Sequence, residues 1–438
     1  MFEKIRNAFK IPDLRNKLLF TLAMLVVYRL GSHIPCPGID STALASFFAG
    51  VRGTLLGLFD IFVGGNLSRA TIFGLGIMPY ISASIIFQLL GAAMPYLQKL
   101  QREGEEGRRK ITQYTRYLTV GIAAIQGFGV AIFLESLRGA AGEPIVPYPG
   151  MGFKLLTILT LVTGTIFLMW IGELITERGI GNGISLIIMW GILDRFLPDG
   201  VNTLRMLTAG ALSPFIFAFI VAVAVGVTAA VVLITQAQRR IPVQYAQRVI
   251  GRRIYGGRST HIPLNVNTAG VIPIIFAQSL LMMPATVARF FSGSVWAEEM
   301  SMFFKPGQWL YNIIYAGLIV FFAYFYTSVV INPTDLADNM KRYGGFIPGV
   351  RPGAKTAQYI DRVLSRITLP GALFFAFVAI FPMYLINRFN IPFYFGGTSL
   401  IIIVGVALDT VRQIEAQLMM RHYEGFLRKG KIRGRRGY

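Results

Sequence analysis

The residues that could carry out catalysis are few and lie far apart in this chain of 438 residues. The three histidines, His33, His261 and His422, lie at the end of an apolar segment or within polar ones. Ser185 stands in the run GISL, which is similar to the nucleophile motif of an intramembrane serine protease, but a serine nucleophile needs an adjacent base. The sequence contains neither an HExxH metal motif nor a P-loop. The pattern therefore argues against an enzyme and predicts neither a metal site nor a cofactor.

Charged side chains are also scarce in the middle of the apolar segments. Charges at membrane depth usually mark ion pathways or proton relays, so their scarcity argues against a carrier coupled to protons or sodium. The charged residues of these segments fall towards segment ends, at Arg29, Glu173, Asp194, Arg195 and Asp409. Uncharged polar residues are present instead; they hydrogen-bond between helices or, where they cluster, form a seam that opens. These residues are Ser82, Ser84, Gln88, Gln126, Asn267 and Gln278.

The composition indicates an integral membrane protein. Of the chain, 54% is hydrophobic and only 14% is charged, with a mean hydropathy of +0.57. Soluble domains carry about 25% charged residues. Cys36 is the single cysteine, which excludes a disulfide framework. Residues 1–17 are charged and amphipathic, and they predict a cytoplasmic helix at the membrane surface.

Ten apolar segments predict an all-α protein with ten membrane-spanning helices. Five precede a predicted outer connecting loop, 198–211, and five follow it. An odd number in each half makes the C-terminal half, 212–418, run opposite to the N-terminal half, 18–197. Inverted repeats of this kind place a site between the halves at the midplane. The ten segments are 18–35, 72–94, 117–137, 155–175, 184–197, 212–235, 268–288, 310–331, 367–386 and 399–418.

The basic residues are distributed asymmetrically about these segments. With the N-terminus inside, 32 of the 42 lysines and arginines fall in cytoplasmic segments or at the inner end of the last span. The positive-inside rule therefore predicts that both termini, including the basic tail 419–438, are cytoplasmic. Two cytoplasmic loops, 236–267 and 332–366, are longer than a topology signal requires. The first holds six arginines and no acidic residue. Both loops predict projecting hairpins that bind a partner, with solvated loops as the alternative.

The apolar stretch 54–94 is the least regular part of the sequence. Its 41 residues are about twice the roughly 20 that cross a bilayer as a helix. Gly64, Gly65 and Asn66 interrupt it, with Asp60 and Arg69 on either side. Irregular backbone is tolerated at membrane depth only where protein covers it or where it lines a wet cavity. The stretch thus predicts a re-entrant segment, followed by an uninterrupted span over 72–94.

Several motifs resemble the SecY family, the central subunits of the bacterial protein-conducting channel and their eukaryotic alpha-subunit relatives. The match runs in order from the first span to the tail. Its motifs are GIMPYISASII (76–86), EGEEGRRKITQYTRY (103–117), GELITERGIGNGIS (172–185), AGVIPIIFAQS (269–279), GFIPGVRPG (345–353) and GGTSLIIIVGV (396–406).

This resemblance implies a clam shell of two pseudo-symmetric, inverted five-helix halves around an hourglass pore. A ring of apolar side chains at the waist would exclude water and ions until a polypeptide passes. By motif position the ring falls on Ile77, Ile81, Ile188, Ile275 and Ile402. A re-entrant half-helix, residues 58–69, would be the plug that closes the outer funnel. It consists of Leu58, Phe59, Asp60, Ile61, Phe62, Val63, Gly64, Gly65, Asn66, Leu67, Ser68 and Arg69.

The resemblance also implies a lateral gate, docking sites and partners. The gate, between spans 2, 3, 7 and 8, would release signal sequences into the lipid bilayer, with Ser82, Gln126 and Asn267 as polar gate residues. The cytoplasmic loops would dock the SecA ATPase or the ribosome, whose RNA is polyanionic. The docking residues would be Arg239, Arg240, Arg252, Arg253, Arg258, Arg342 and Arg351. The small subunits SecE and SecG would complete the channel in the bacterial plasma (inner) membrane.

The resulting prediction is a passive channel for unfolded secretory polypeptides. It would also insert membrane proteins laterally, and SecA or the translating ribosome would drive it. The alternative is a secondary transporter with a substrate site at a broken helix. A carrier should converge several polar groups on one solute, whereas these segments offer a set of isoleucines.

Overall fold

The computed structural model describes residues 9, 11–50, 57, 60, 63–139, 142–210, 213–245, 248–250, 253–255, 259–288, 308–389 and 397–429. Its helices are α1 (Pro12–Gly31), α2 (Ser41–Gly50), α3 (Met78–Ala93), α4 (Pro95–Arg102), α5 (Glu105–Ser136), α6 (Met151–Arg178), α7 (Gly183–Thr208), α8 (Pro214–Gln236), α9 (Ile272–Ala288), α10 (Trp309–Val330), α11 (Pro333–Arg342), α12 (Ala354–Phe389) and α13 (Gly397–Lys429). Its strands are β1 (Gln238–Tyr245), β2 (Arg248–Ile250), β3 (Arg253–Tyr255), β4 (Ser259–Asn265) and β5 (Gly345–Phe346).

Each of the ten predicted spans coincides with one helix, namely α1, α3, α5 to α10, α12 and α13. Within the described ranges, six helical segments are long and apolar enough to cross a membrane. Helix α3 and Pro95–Gln101, which are bent by 103° at Met94, make a seventh if they count as one span. Gly183–Asp194 and Ile272–Met282 are shorter apolar helices. The all-α, multi-pass membrane architecture is confirmed, while the count of ten spans stays a prediction.

The structure corrects three of the predicted boundaries. Helix α3 begins at Met78, because residues 72–77 form turns in which Gly76 has a left-handed φ of +59°. Helix α7 continues through Pro198 to Thr208, so most of the predicted outer loop 198–211 is helical. The loop 332–366 is not a hairpin, since it holds α11, β5 and the first turns of α12.

The described residues form two compact units. The first unit contains the residues up to Arg195 and those from Val406 onward, and the second contains Phe196–Gly405. In the first unit, α5 packs along α6, α3 packs against α5, and α1 packs against α6. Helix α6 passes so close to the turn at Ile72 that a Cβ at Gly164 would lie 2.0 Å from the Ile72 carbonyl oxygen. Glycine is thus required at this crossing, as is common where membrane helices approach backbone closely.

In the second unit, α10 packs against both α9 and α12. Phe276 of α9 meets Phe322 of α10 edge to face, with ring centroids 5.8 Å apart. The strands β4, β1 and β5 form an antiparallel sheet in that order, and β2 pairs with β3. The domain boundaries drawn from the sequence, 1–17, 18–197, 198–211, 212–418 and 419–438, stay predictions, apart from the assignment of 198–211 as a loop, which is corrected above.

Candidate functional site

The glycine break in the apolar stretch is folded into a compact series of turns. Val63 to Arg69 are turns or bends rather than helix, while Asp60 is helical. The side-chain carboxylate of Asp60 accepts a hydrogen bond from the Ser68 backbone N–H at 2.8 Å. The main-chain carbonyl of Asp60 accepts one from the Gly65 N–H at 2.6 Å. Asp60 is buried, and the Ser68 N–H gives a hydrogen-bond donor to a carboxylate that would otherwise be costly to bury. Leu58, Phe59, Ile61 and Phe62 lie outside the described residues.

Asn66 closes the same series of turns from inside. Its side-chain amide is fully buried; the Nδ2 donates to the Val63 carbonyl at 2.6 Å and to the Tyr28 hydroxyl at 3.4 Å. The Oδ1 accepts from the Thr71 hydroxyl at 3.1 Å. These bonds join both ends of residues 63–71 to one side chain. We call this hydrogen-bonded segment the knot, a name that does not refer to a topological knot.

The knot is packed directly against α1 and α7. A Cβ at Gly64 would lie 2.8 Å from the Gly191 Cα and 3.0 Å from the Tyr28 hydroxyl. The φ of Gly64 is +73°, which also favours glycine. The main chains of the knot and α7 therefore touch with no side chain between them.

Three charged residues meet at the edge of this contact. Arg29 in the last turn of α1 and Arg69 in the knot both pair with the same oxygen, Oδ2, of Asp194 on α7. The Arg69 Nη1 lies 3.5 Å from it. The sequence indicates only that these charges stand near segment ends, and not that they share one partner.

The chain that leaves the knot is held by the segment that follows α1. The Ile72 N–H donates to the Ile34 carbonyl at 3.0 Å, and the Cys36 N–H donates to the Ala70 carbonyl at 2.6 Å. Ala70 has a left-handed φ of +50°, a conformation that costs an L-residue about 1–2 kcal/mol. The surrounding contacts hold Ala70 in this strained conformation.

The five isoleucines assigned to the pore ring are all buried. Ile77 directly precedes α3, Ile81 lies in its first turn, and Ile188 lies in α7. These three belong to the first unit, whereas Ile275 of α9 and Ile402 of α13 belong to the second. That the five close one ring stays a prediction.

The three polar residues assigned to the lateral gate occupy different kinds of position. Ser82 is in α3 and Gln126 is in α5, both partly buried. Asn267 is not on a helix, because β4 ends at Asn265 and α9 begins at Ile272. Asn267 lines a small cavity with Thr327 and Thr368. Its role in the gate stays a prediction.

The two loops predicted to be cytoplasmic, 236–267 and 332–366, fold together as one structure. Strands β1 and β4 pair in antiparallel register from Gln238 opposite Asn265 to Gln244 opposite Ser259, which confirms the hairpin predicted for 236–267. Strand β5, from the other loop, pairs with the end of β1. A hydrophobic core joins both loops to α11 and α12, and it contains Ile241, Val243, Leu264, Met340, Ile347, Ile360 and Leu364.

Four of the seven arginines assigned to docking lie on this joint structure. Arg239 and Arg240 are exposed on β1, and Arg342 is exposed at the end of α11. Arg351 is exposed between β5 and α12, where its carbonyl accepts from the Thr356 hydroxyl at 2.9 Å. Arg253 is in β3, and Arg252 and Arg258 lie outside the described residues.

The structure shows a second inter-helix ion pair that the sequence reasoning missed. Arg116 of α5 binds Glu173 of α6 through two bonds, Nε to Oε1 at 3.0 Å and Nη2 to Oε2 at 2.6 Å. Both residues stand at the predicted inner ends of consecutive antiparallel spans. That shared side was the signal that could have predicted the pair.

The fold is that of the protein-conducting channels of membranes. A solved protein-conducting channel superposes with a TM-score of 0.64 over 91% of each chain, at 17% identity. Sec61 in the canine ribosome-channel complex from the endoplasmic reticulum superposes with a TM-score of 0.59 over 91% of each chain, also at 17% identity.

The sequence comparisons identify the family. The SecY family model matches residues 71–411. The protein translocase subunit SecY of Aquifex aeolicus is 47% identical over 430 residues, which cover 98% of this chain and 100% of the relative. The chain therefore belongs to the SecY family.

Proposed function

We propose that this chain is the pore-forming subunit of a protein translocase, a passive channel that exports unfolded secretory polypeptides and inserts membrane proteins laterally. The observation that carries the proposal is family membership over nearly the whole chain. The described structure supports it with buried isoleucines at all five ring positions. A membrane carrier would instead need several polar groups converging on one solute.

Residues 58–69, which include the knot as far as Arg69, form the plug of this channel. Residues 58–69 precede the first ring isoleucine, Ile77, and the turns at 72–77 connect the two. The knot is internally hydrogen-bonded, and it packs against α1 and α7 at Gly64. These properties suit a stopper that moves as one piece.

The joint structure of the two cytoplasmic loops is the docking surface for SecA or the ribosome. Its core holds the exposed Arg239, Arg240, Arg342 and Arg351 on a single rigid support. A polyanionic partner such as ribosomal RNA would bind this surface in a salt-dependent manner. SecE and SecG complete the channel in the plasma (inner) membrane, with both termini of this chain in the cytoplasm.

A site-specific crosslink to a stalled secretory chain tests the function. Cys36 is first replaced by alanine, and Ile275→Cys is then compared with Leu280→Cys, which lies on the same helix but is exposed. We expect the stalled polypeptide to crosslink at position 275 and not at 280. Equal crosslinking at both positions, or none at either, would contradict a polypeptide path past Ile275.

A further inference from the structure

Asp194 is the shared partner of two arginines from separate parts of the first unit. Arg29 belongs to α1 and Arg69 to the knot, and both contact the same carboxylate oxygen. Only 14% of the Asp194 side chain is exposed, compared with 35% for Arg29 and 40% for Arg69. A carboxylate this well covered needs a cationic partner, and here it has two.

The same three elements also meet through uncharged contacts. The knot touches α7 at Gly64 and Gly191, and it bonds α1 through Asn66 and Tyr28. The Asn66 bonds to Val63 and Thr71 join residues of the knot to one another, and the Ser68 N–H bonds Asp60, which precedes the knot. Moving the knot away from α7 therefore leaves its internal bonds in place, while it must break the Arg69–Asp194 pair.

We propose that Asp194 is the positioning residue that holds the plug closed, by bridging Arg69 of the knot to Arg29 of α1. The proposal rests on the proposed function, since it presupposes that the knot is part of the plug. The ion pair, at 3.5 Å and partly exposed, is weak enough to break during each opening.

The triad predicts an order among variants. Asp194→Asn removes the shared counter-charge and leaves Arg29 and Arg69 close together, so repulsion adds to the lost attraction. Arg69→Gln removes the attraction alone and leaves the Arg29–Asp194 pair intact. Asp194→Glu keeps the negative charge, so it should keep the ion leak close to that of the unmodified channel.

The test is the ion leak of the resting channel, reconstituted with its partner subunits in proteoliposomes. We expect the leak to rise about two- to fivefold for Arg69→Gln, the range that a partly exposed ion pair supplies. For Asp194→Asn we expect about five- to tenfold, because repulsion between the two arginines adds to the lost attraction. Glu135→Gln is the matched control, because Glu135 is 17% exposed, lies on the same predicted side, and pairs with Lys154 of α6 at 3.2 Å instead of with the knot.

The deletion of residues 58–69 separates the two proposals. If the deletion raises the leak while Asp194→Asn and Arg69→Gln do not, the bridging role of Asp194 is wrong and the plug stands. If the deletion leaves the leak unchanged, the plug assignment and the role of Asp194 both fail. If Glu135→Gln raises the leak as much as Asp194→Asn does, the cause is a general loosening of the helix packing and the bridging role of Asp194 is wrong. Should Asp194→Asn not assemble, Arg69→Gln alone decides, because it keeps the Arg29–Asp194 pair.

Discussion

The approach of α6 to the turn at Ile72 gives the sharpest prediction about stability. At Gly164 a Cβ would stand 2.0 Å from the Ile72 carbonyl oxygen and 2.8 Å from its carbon. Carbon and oxygen atoms that are not bonded do not approach closer than about 3 Å, so Gly164→Ala must displace one main chain by about 1 Å. The Ile72 N–H donates a hydrogen bond to the Ile34 carbonyl, and the main chain at Ile72 cannot move by that distance without losing it.

The expected loss follows from the cost of overpacking a close-packed interior. Such insertions cost about 1–3 kcal/mol, and 2 kcal/mol lowers the melting temperature of a cooperative unit of about 150–250 residues by roughly 4–8 °C. Because Ile72 connects the knot to α3, we also expect a higher leak through the resting channel. Thermal unfolding in detergent and the proteoliposome leak assay measure the two effects.

Gly152→Ala is the control on the same helix. A Cβ at Gly152 would meet nothing within 4 Å, so alanine there should be neutral or stabilise the helix by up to about 1 kcal/mol. The two substitutions add the same methyl group to α6 and should change stability in opposite directions. If the Gly164→Ala protein has the same melting temperature as the Gly152→Ala protein, the α6 backbone does not lie against Ile72.

Three further predictions concern the ring, the docking surface and the knot. Replacing Ile275 or Ile402 with asparagine should wet the constriction, raise ion conductance in planar bilayers and relax signal-sequence selectivity; unchanged conductance would argue against the ring. Arg351→Glu should reduce SecA-driven export into membrane vesicles while the assembled complex stays at its normal level, and normal export would remove Arg351 from docking. Ala70→Gly should raise the unfolding free energy by about 1 kcal/mol, because glycine adopts the φ of +50° without strain; a lower melting temperature would show that the alanine is not strained.

Hydropathy alone located one helix for each predicted span, because membrane burial imposes the same long apolar run on every helix. It failed at boundaries that depend on single residues. At residues 72–77 the chain is as apolar as the following helix, and the left-handed Gly76 determines where α3 can begin. At Pro198 the opposite occurs: a polar, proline-containing sequence continues α7 to Thr208.

The two loops predicted to be cytoplasmic show a similar division between local and distant information. Alternating residues in 236–267 predicted the hairpin of β1 and β4, since strand pairing there is local. The pairing of β5 with Gln244 and Tyr245 joins residues about a hundred positions apart, and no short-range pattern announces it. The same applies to the hydrophobic core beneath the arginines assigned to docking, since that core draws on both loops.

The charged residues near span ends can be paired by combining side and order along the chain. Spans 1 and 5 both run outward, so Arg29 and Asp194 must lie on the same predicted side, together with Arg69, which precedes span 2. Arg116 opens span 3 and Glu173 closes span 4, which places both on the inner side, where the structure joins them. A charge at a span end is inexpensive because water is near, yet a partner on the same side makes it useful for fixing one helix against another. Treating such charges as mere boundary markers conceals the Asp194 contacts on which the position of the knot depends.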